Sequence, residues 1–169
     1  MAVVLVVEDL REAREGLRIL LRRRGYEAVG ASGGREALEL LAAGAIDLIL
    51  LDLSMPDLDG FEVLRRLPPV GELGRPPVVV FSALDDPESV RRARELGANE
   101  YLVKGQVTWR QVVERVGECL RARGTPPPEA SVADVPPGSQ AKPDAASAGT
   151  ESGSRREEPP DSPSSSKDP

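Results

Sequence analysis

Five side chains able to handle a divalent metal or a phosphoryl group stand at the ends of four short apolar runs. Val3-Val4-Leu5-Val6-Val7 leads into Glu8 and Asp9, and Leu48-Ile49-Leu50-Leu51 leads into Asp52. Val78-Val79-Val80-Phe81 leads into Ser82, and Tyr101-Leu102-Val103 into Lys104. Carboxylates brought together repel one another, and a hard cation relieves the repulsion. Mg²⁺ suits such a group because it needs only one or two carboxylates, keeps several waters and leaves room for a phosphate. A carboxylate oxygen can also attack phosphorus to give an acyl phosphate. A lysine ammonium is a mobile point charge for phosphate oxygens, and a serine hydroxyl can donate a hydrogen bond to one.

These residues act together only if the fold gathers them. Runs this short, apolar on both faces and rich in Val, Ile and Leu, read as buried strands of a parallel sheet. Between them lie helical patterns. Residues 11–24 put Ala13, Leu17, Leu20 and Leu21 on one face, with Arg22, Arg23 and Arg24 near the C-terminal end where the dipole favours cations, and Gly25 stops the helix. Residues 26–31 read as a strand. Ser32 reads as an N-cap of a helix that ends at Gly44, and residues 47–52 as the central strand. Asp59 caps a short helix through Leu67, and prolines at 68, 69, 76 and 77 bracket a loop. Asp86 before Pro87 starts a helix carrying Val90, Ala93 and Leu96 inward to Gly97. A last helix from about Thr108 aligns Trp109, Val112, Val113, Val116 and Leu120. Strand and helix alternate five times, which implies right-handed crossovers and helices on both faces. The expected architecture is an α/β flavodoxin-like three-layer sandwich with a five-stranded parallel sheet in the order 2-1-3-4-5 and five helices. In that order the first and third strands are neighbours at a topological switch point, and the crevice there would hold Glu8, Asp9 and Asp52.

Composition divides the 169-residue chain near Gly124. Residues 1–123 form one domain of ordinary size; residues 124–169 are rich in Pro and Ser, with no aromatic residue and no Leu, Ile or Met. So little apolar surface cannot offset the entropy of ordering, so the acidic tail is expected to be disordered. The first part carries 18 basic and 20 acidic side chains, the tail 4 and 8. Neither has the basic field that direct nucleic-acid binding needs. Cys119 is alone, which fits a reducing compartment, and no apolar run approaches membrane-spanning length. The expectation is a cytoplasmic protein with no membrane partner.

The spacing resembles the receiver domain of two-component response regulators, the CheY-like family. The matching pieces are Val-Val-Glu8-Asp9; Leu-Leu-Asp52-Leu-Ser54-Met55-Pro56 with Gly60; Val-Phe-Ser82-Ala83; and Gly97-Ala98-Asn99-Glu100-Tyr101-Leu-Val-Lys104. They cover about residues 2–122. The resemblance implies that Asp52 accepts a phosphoryl group from a histidine kinase or histidine phosphotransfer protein. It implies a Mg²⁺ held by Asp9 directly, Glu8 partly through water, Asp52, and the backbone carbonyl of Ser54. Lys104 would pair with Asp52 or its phosphate. Ser82 would take part in the chemistry and form a switch pair with Tyr101. The output face would be the fourth helix, fifth strand and fifth helix, engaging a downstream protein or a second copy after phosphorylation. Such a domain catalyses its own phosphorylation and dephosphorylation without being a classical enzyme, and here it would stand alone. One departure is Gly105, where the family usually has a proline after a cis bond. A non-proline cis bond costs about 2.5–4 kcal/mol, so either the loop changes shape or the domain loses stability to keep it.

Taken singly the residues have plainer readings. Glu8-Asp9 could be a helix cap, Ser82 a turn residue, Lys104 a solvated strand end and Tyr101 ordinary packing. Asp57 and Asp59 read as a turn and a cap, and Cys119 as inert. Two other chemistries use the same fold class. A dehalogenase-like phosphatase usually carries a second Asp two residues after its nucleophile, where this chain has Ser54. A flavin binder needs a phosphate loop where this chain has Glu8-Asp9.

Overall fold

The computed structural model describes residues 1–124. The tail expected to be disordered, Gly124 aside, lies outside the described residues. The elements in chain order are β1 (Val3–Val7), α1 (Arg11–Arg23), β2 (Glu27–Ala31), α2 (Gly34–Ala42), β3 (Leu48–Leu51), α3 (Gly60–Arg66), β4 (Val78–Ser82), α4 (Pro87–Glu95), β5 (Glu100–Val103) and α5 (Trp109–Ala122). The strands are all parallel in the order β2-β1-β3-β4-β5, the expected one.

Alternation along each strand builds two cores. Val4, Val6, Leu48, Leu50, Val79, Phe81 and Leu102 point to one face, which α1 and α5 cover with Leu17, Leu21, Val112, Val113, Val116 and Leu120. Leu5, Val7, Ile49, Leu51, Val78 and Val80 point to the other. There α2, α3 and α4 supply Ala37, Phe61, Val63, Leu64 and Ala93. Each fully buried Val or Leu contributes about 1.5–3 kcal/mol relative to exposure. Trp109 is partly buried and lies on α1 at Gly16, where a Cβ would come within 2.4 Å of the indole ring. β2 is an edge strand. Arg18 and Arg22 donate to the Ala28 carbonyl on it at 3.3 and 3.0 Å, which blunts that edge.

Three helix starts follow the expected chemistry. Asp59 and Asp86 accept from the backbone N–H three residues on, and Thr108 forms a capping box with Gln111. Caps of this kind contribute about 1 kcal/mol each. The start of α2 differs from expectation. Gly33, not Ser32, occupies the N-cap position. The N–H and hydroxyl of Ser32 both donate to the Glu36 carboxylate at 2.7 Å, so Ser32 is tied to the helix as a donor and not as the acceptor that a cap supplies. Gly34 follows because a Cβ there would come within 2.5 Å of the Leu58 carbonyl. The loop after β5 also resolves an expectation. The described residues contain no cis peptide bond, and Gly105 sits at φ +86°. Of the two outcomes, the loop has changed shape, using a backbone region that glycine enters without steric cost.

Candidate functional site

Register puts the chemistry at one edge. Val7 stands level with Leu51, so Glu8 and Asp52 leave neighbouring strands at the same height. Ser82 stands level with Val103, so Lys104 emerges just beyond it. The Lys104 ammonium lies 2.6 Å from Glu8 Oε2 and 2.7 Å from Asp52 Oδ2. The two carboxylates are almost fully enclosed, with 2 % and 5 % of their side-chain surface exposed, against 23 % for Lys104. Their second oxygens accept from the loops that follow: Leu10 N–H donates to Glu8 at 3.3 Å and Ser54 N–H to Asp52 at 3.0 Å. Asp9 is the more exposed member. One oxygen from each of Glu8, Asp9 and Asp52 lies within 4.8 Å of the others.

Ser82 is fully buried at the end of β4. Its hydroxyl accepts from Leu84 N–H at 3.4 Å, while the Tyr101 hydroxyl donates to the Leu84 carbonyl at 2.7 Å. One residue of the β4–α4 loop therefore touches both members of the expected switch pair.

Burial pushes the Glu8 carboxyl above its ordinary value, against the opposing pull of Lys104. For Lys104, burial is the largest influence and lowers it. The hydrogen bonds and charges of Asp52 and Glu8 together outweigh that and leave it raised. Burial, followed by the nearby carboxylates of Asp86, Asp52 and Asp85, raises the Tyr101 hydroxyl. Three carboxylates thus face one ammonium. Hard oxygen donors in that proportion fit a small divalent cation better than a softer metal.

Glu8, Asp9, Asp52, Ser82 and Lys104 fall at this edge, while Tyr101 lies within β5 level with Val80 and reaches the adjoining loop through its hydroxyl. Three features were not legible. Lys104 pairs with Glu8 as closely as with Asp52. Leu84 enters through its backbone, which no side-chain pattern reports. Arg14 donates to the carbonyls of Glu8 and Asp9 at 2.7 and 3.3 Å. Its one signal is a cation near a helix N-terminus, where the dipole disfavours it.

Comparison with known proteins agrees with this geometry. Residues 4–116 match the family model described as the response regulator receiver domain. A gliding motility regulatory protein of Myxococcus xanthus is 40 % identical over 104 residues, 62 % of this chain and 13 % of its own length. Response regulator MprA of Mycolicibacterium vanbaalenii is 42 % identical over 101 residues, 60 % of this chain and 43 % of its own. The chain spans about half or less of the length of these curated relatives. Among solved structures, the receiver domain of the Francisella response regulator 1452 has a TM-score of 0.66 at 28 % identity, over 73 % of this chain and 99 % of that one. The receiver domain of a Syntrophus aciditrophicus signal transduction histidine kinase has a TM-score of 0.64 at 31 % identity, over 72 % and 92 %. Among the described residues no helix is long and apolar enough to cross a membrane. The gathered edge of the sheet and a family match over two thirds of its length agree, and the chain belongs to the response regulator receiver domain family of two-component signalling.

Proposed function

We propose that Asp52 is the phosphoryl acceptor of this chain, charged by a histidine kinase or histidine phosphotransfer protein. The observation that carries this reading is the Lys104 ammonium between the Glu8 and Asp52 carboxylates, with Asp9 beside them. An Asp52 oxygen attacks the phosphorus of a phosphohistidine. The P–N bond breaks, and the imidazole leaves with the electron pair and takes up a proton. Glu8, Asp9, Asp52 and the backbone carbonyl of Ser54 would hold a Mg²⁺, which when bound neutralises charge on the phosphoryl oxygens. Lys104 changes partner from the Asp52 carboxylate to a phosphate oxygen, keeping a charge-assisted hydrogen bond throughout. The Ser82 hydroxyl donates to another oxygen. Hydrolysis of the acyl phosphate then returns the carboxylate and releases inorganic phosphate.

The signal leaves through Leu84. When the Ser82 hydroxyl turns to the phosphate it gives up the Leu84 N–H, and the same residue's carbonyl holds Tyr101. The ring swings inward, which reshapes the α4–β5–α5 face for a downstream protein. The output on this reading is protein contact through that face. The test is incubation with a small phosphodonor and Mg²⁺. Wild type is expected to become labelled and Asp52→Asn is not; equal labelling of the two contradicts the assignment.

A further inference from the structure

Arg14 sits in the N-terminal half of α1 with its guanidinium turned back over the end of β1. One nitrogen donates to the Glu8 carbonyl at 2.7 Å and to the Asp9 carbonyl at 3.3 Å. Those carbonyls belong to the two peptide planes that flank the Asp9 Cα. Holding both planes fixes the backbone angles at Asp9 and hence the direction of its side chain. The second plane carries a further link: its N–H, on Leu10, donates to the Glu8 carboxylate at 3.3 Å. A single guanidinium therefore orients Asp9 through the backbone and Glu8 through the Leu10 amide. The Arg14 stem is itself held. It passes over Gly30 of β2, where a Cβ would stand 3.2 and 3.3 Å from its Cδ and Cγ.

We propose that Arg14 is a positioning residue for the Mg²⁺ site, acting by locking the two peptide planes around Asp9. This rests on the receiver reading above. The role differs from simple charge. A guanidinium near three carboxylates opposes cation binding electrostatically, so a pure charge effect predicts tighter Mg²⁺ binding when it is removed, whereas a positioning effect predicts weaker binding. Groups that orient metal ligands from outside the coordination shell typically change metal affinity by about 10–100-fold when removed.

Arg18 is a matched control. It lies one turn along the same face, also packs over Gly30, and donates to the Ala28 carbonyl without contacting Glu8 or Asp9. The experiment is a calorimetric Mg²⁺ titration of the full chain, wild type beside Arg14→Met, Arg14→Lys and Arg18→Met, with metal-free thermal melts of each. Arg14→Met is expected to bind Mg²⁺ about tenfold more weakly. Arg14→Lys should recover part of that loss, and Arg18→Met should bind like wild type even if it melts lower. Wild-type affinity or tighter in Arg14→Met, or equal weakening in Arg18→Met, overturns the positioning role and leaves the receiver reading intact. A wild-type protein that binds no Mg²⁺ overturns both.

Discussion

The two ends of the sheet use polar side chains in opposite ways. At the N-terminal end they close the backbone. Asp47 accepts from Val3 N–H and Asn99 from Val78 N–H, each at 2.8 Å, and Arg75 donates to the carbonyls of Pro68, Leu96 and Gly97. At the C-terminal end the charged side chains face one another. Lys104 bridges Glu8 and Asp52, and Asp9 adds a third carboxylate within 4.8 Å. A group committed to the backbone cannot leave it without exposing a buried donor or acceptor, at a cost of about 1–3 kcal/mol. A group paired with another mobile charge can exchange that partner for a cation or a phosphate. The first arrangement holds the fold and the second is free to take up a cation or a phosphate, although both draw on carboxylates and cationic side chains.

Exchanging damage between the two ends gives the largest effects. Asp9→Ala should abolish Mg²⁺-dependent labelling without lowering the metal-free melting temperature, because it removes one of three repelling carboxylates. Asp47→Ala should do the reverse, retaining labelling while losing about 1–3 kcal/mol in urea denaturation. Loss of labelling in both variants would erase the distinction.

Lys104→Met leaves two buried carboxylates facing each other, at a cost of about 3 kcal/mol. Because burial already raises the Glu8 carboxyl, proton uptake there relieves the conflict, so the loss should be larger at pH 8 than at pH 5. A pH-independent loss would mean that Glu8 is not the group relieved. The wild type should show a weaker form of the same trend. A carboxyl held above its ordinary value binds a proton on folding in that window, so metal-free stability falls as pH rises from the ordinary glutamate range through the raised value. Glu8→Gln should remove that slope. Lys104, raised by its two partners against burial, contributes stability up to the ordinary lysine range and loses it as pH climbs through its folded value. The smallest effect is expected for Tyr101→Phe. It should lose about 1 kcal/mol with the Leu84 hydrogen bond, with labelling by a small phosphodonor unchanged.

Much of this was legible because the signals are periodic and local. Both-face apolar runs marked the strands, alternation with helices implied a parallel sheet covered on both faces, and Asp59, Asp86 and Thr108 marked helix starts by residue type alone. Glu8, Asp9, Asp52, Ser82 and Lys104 were legible as a set because each ends a strand. What escaped depends on competition or on backbone. Ser32 looks like a cap, but the cap position falls one residue later at Gly33 and Ser32 instead donates twice to Glu36. The shape of the loop at Gly105 follows from a positive φ that a glycine permits but does not require. Leu84 and Arg14 act on or through carbonyls, and the pairing of a side chain with a distant main-chain oxygen has no spacing rule in the sequence.

Locating the phosphate tests the contrast between the two ends most directly. Brief reaction with a small phosphodonor and Mg²⁺, reduction of any acyl phosphate with borohydride, and peptide mass mapping should find the modification at Asp52 alone. A modified Ser82, a modified carboxylate at the opposite end such as Asp47, or an unmodified chain would contradict the account.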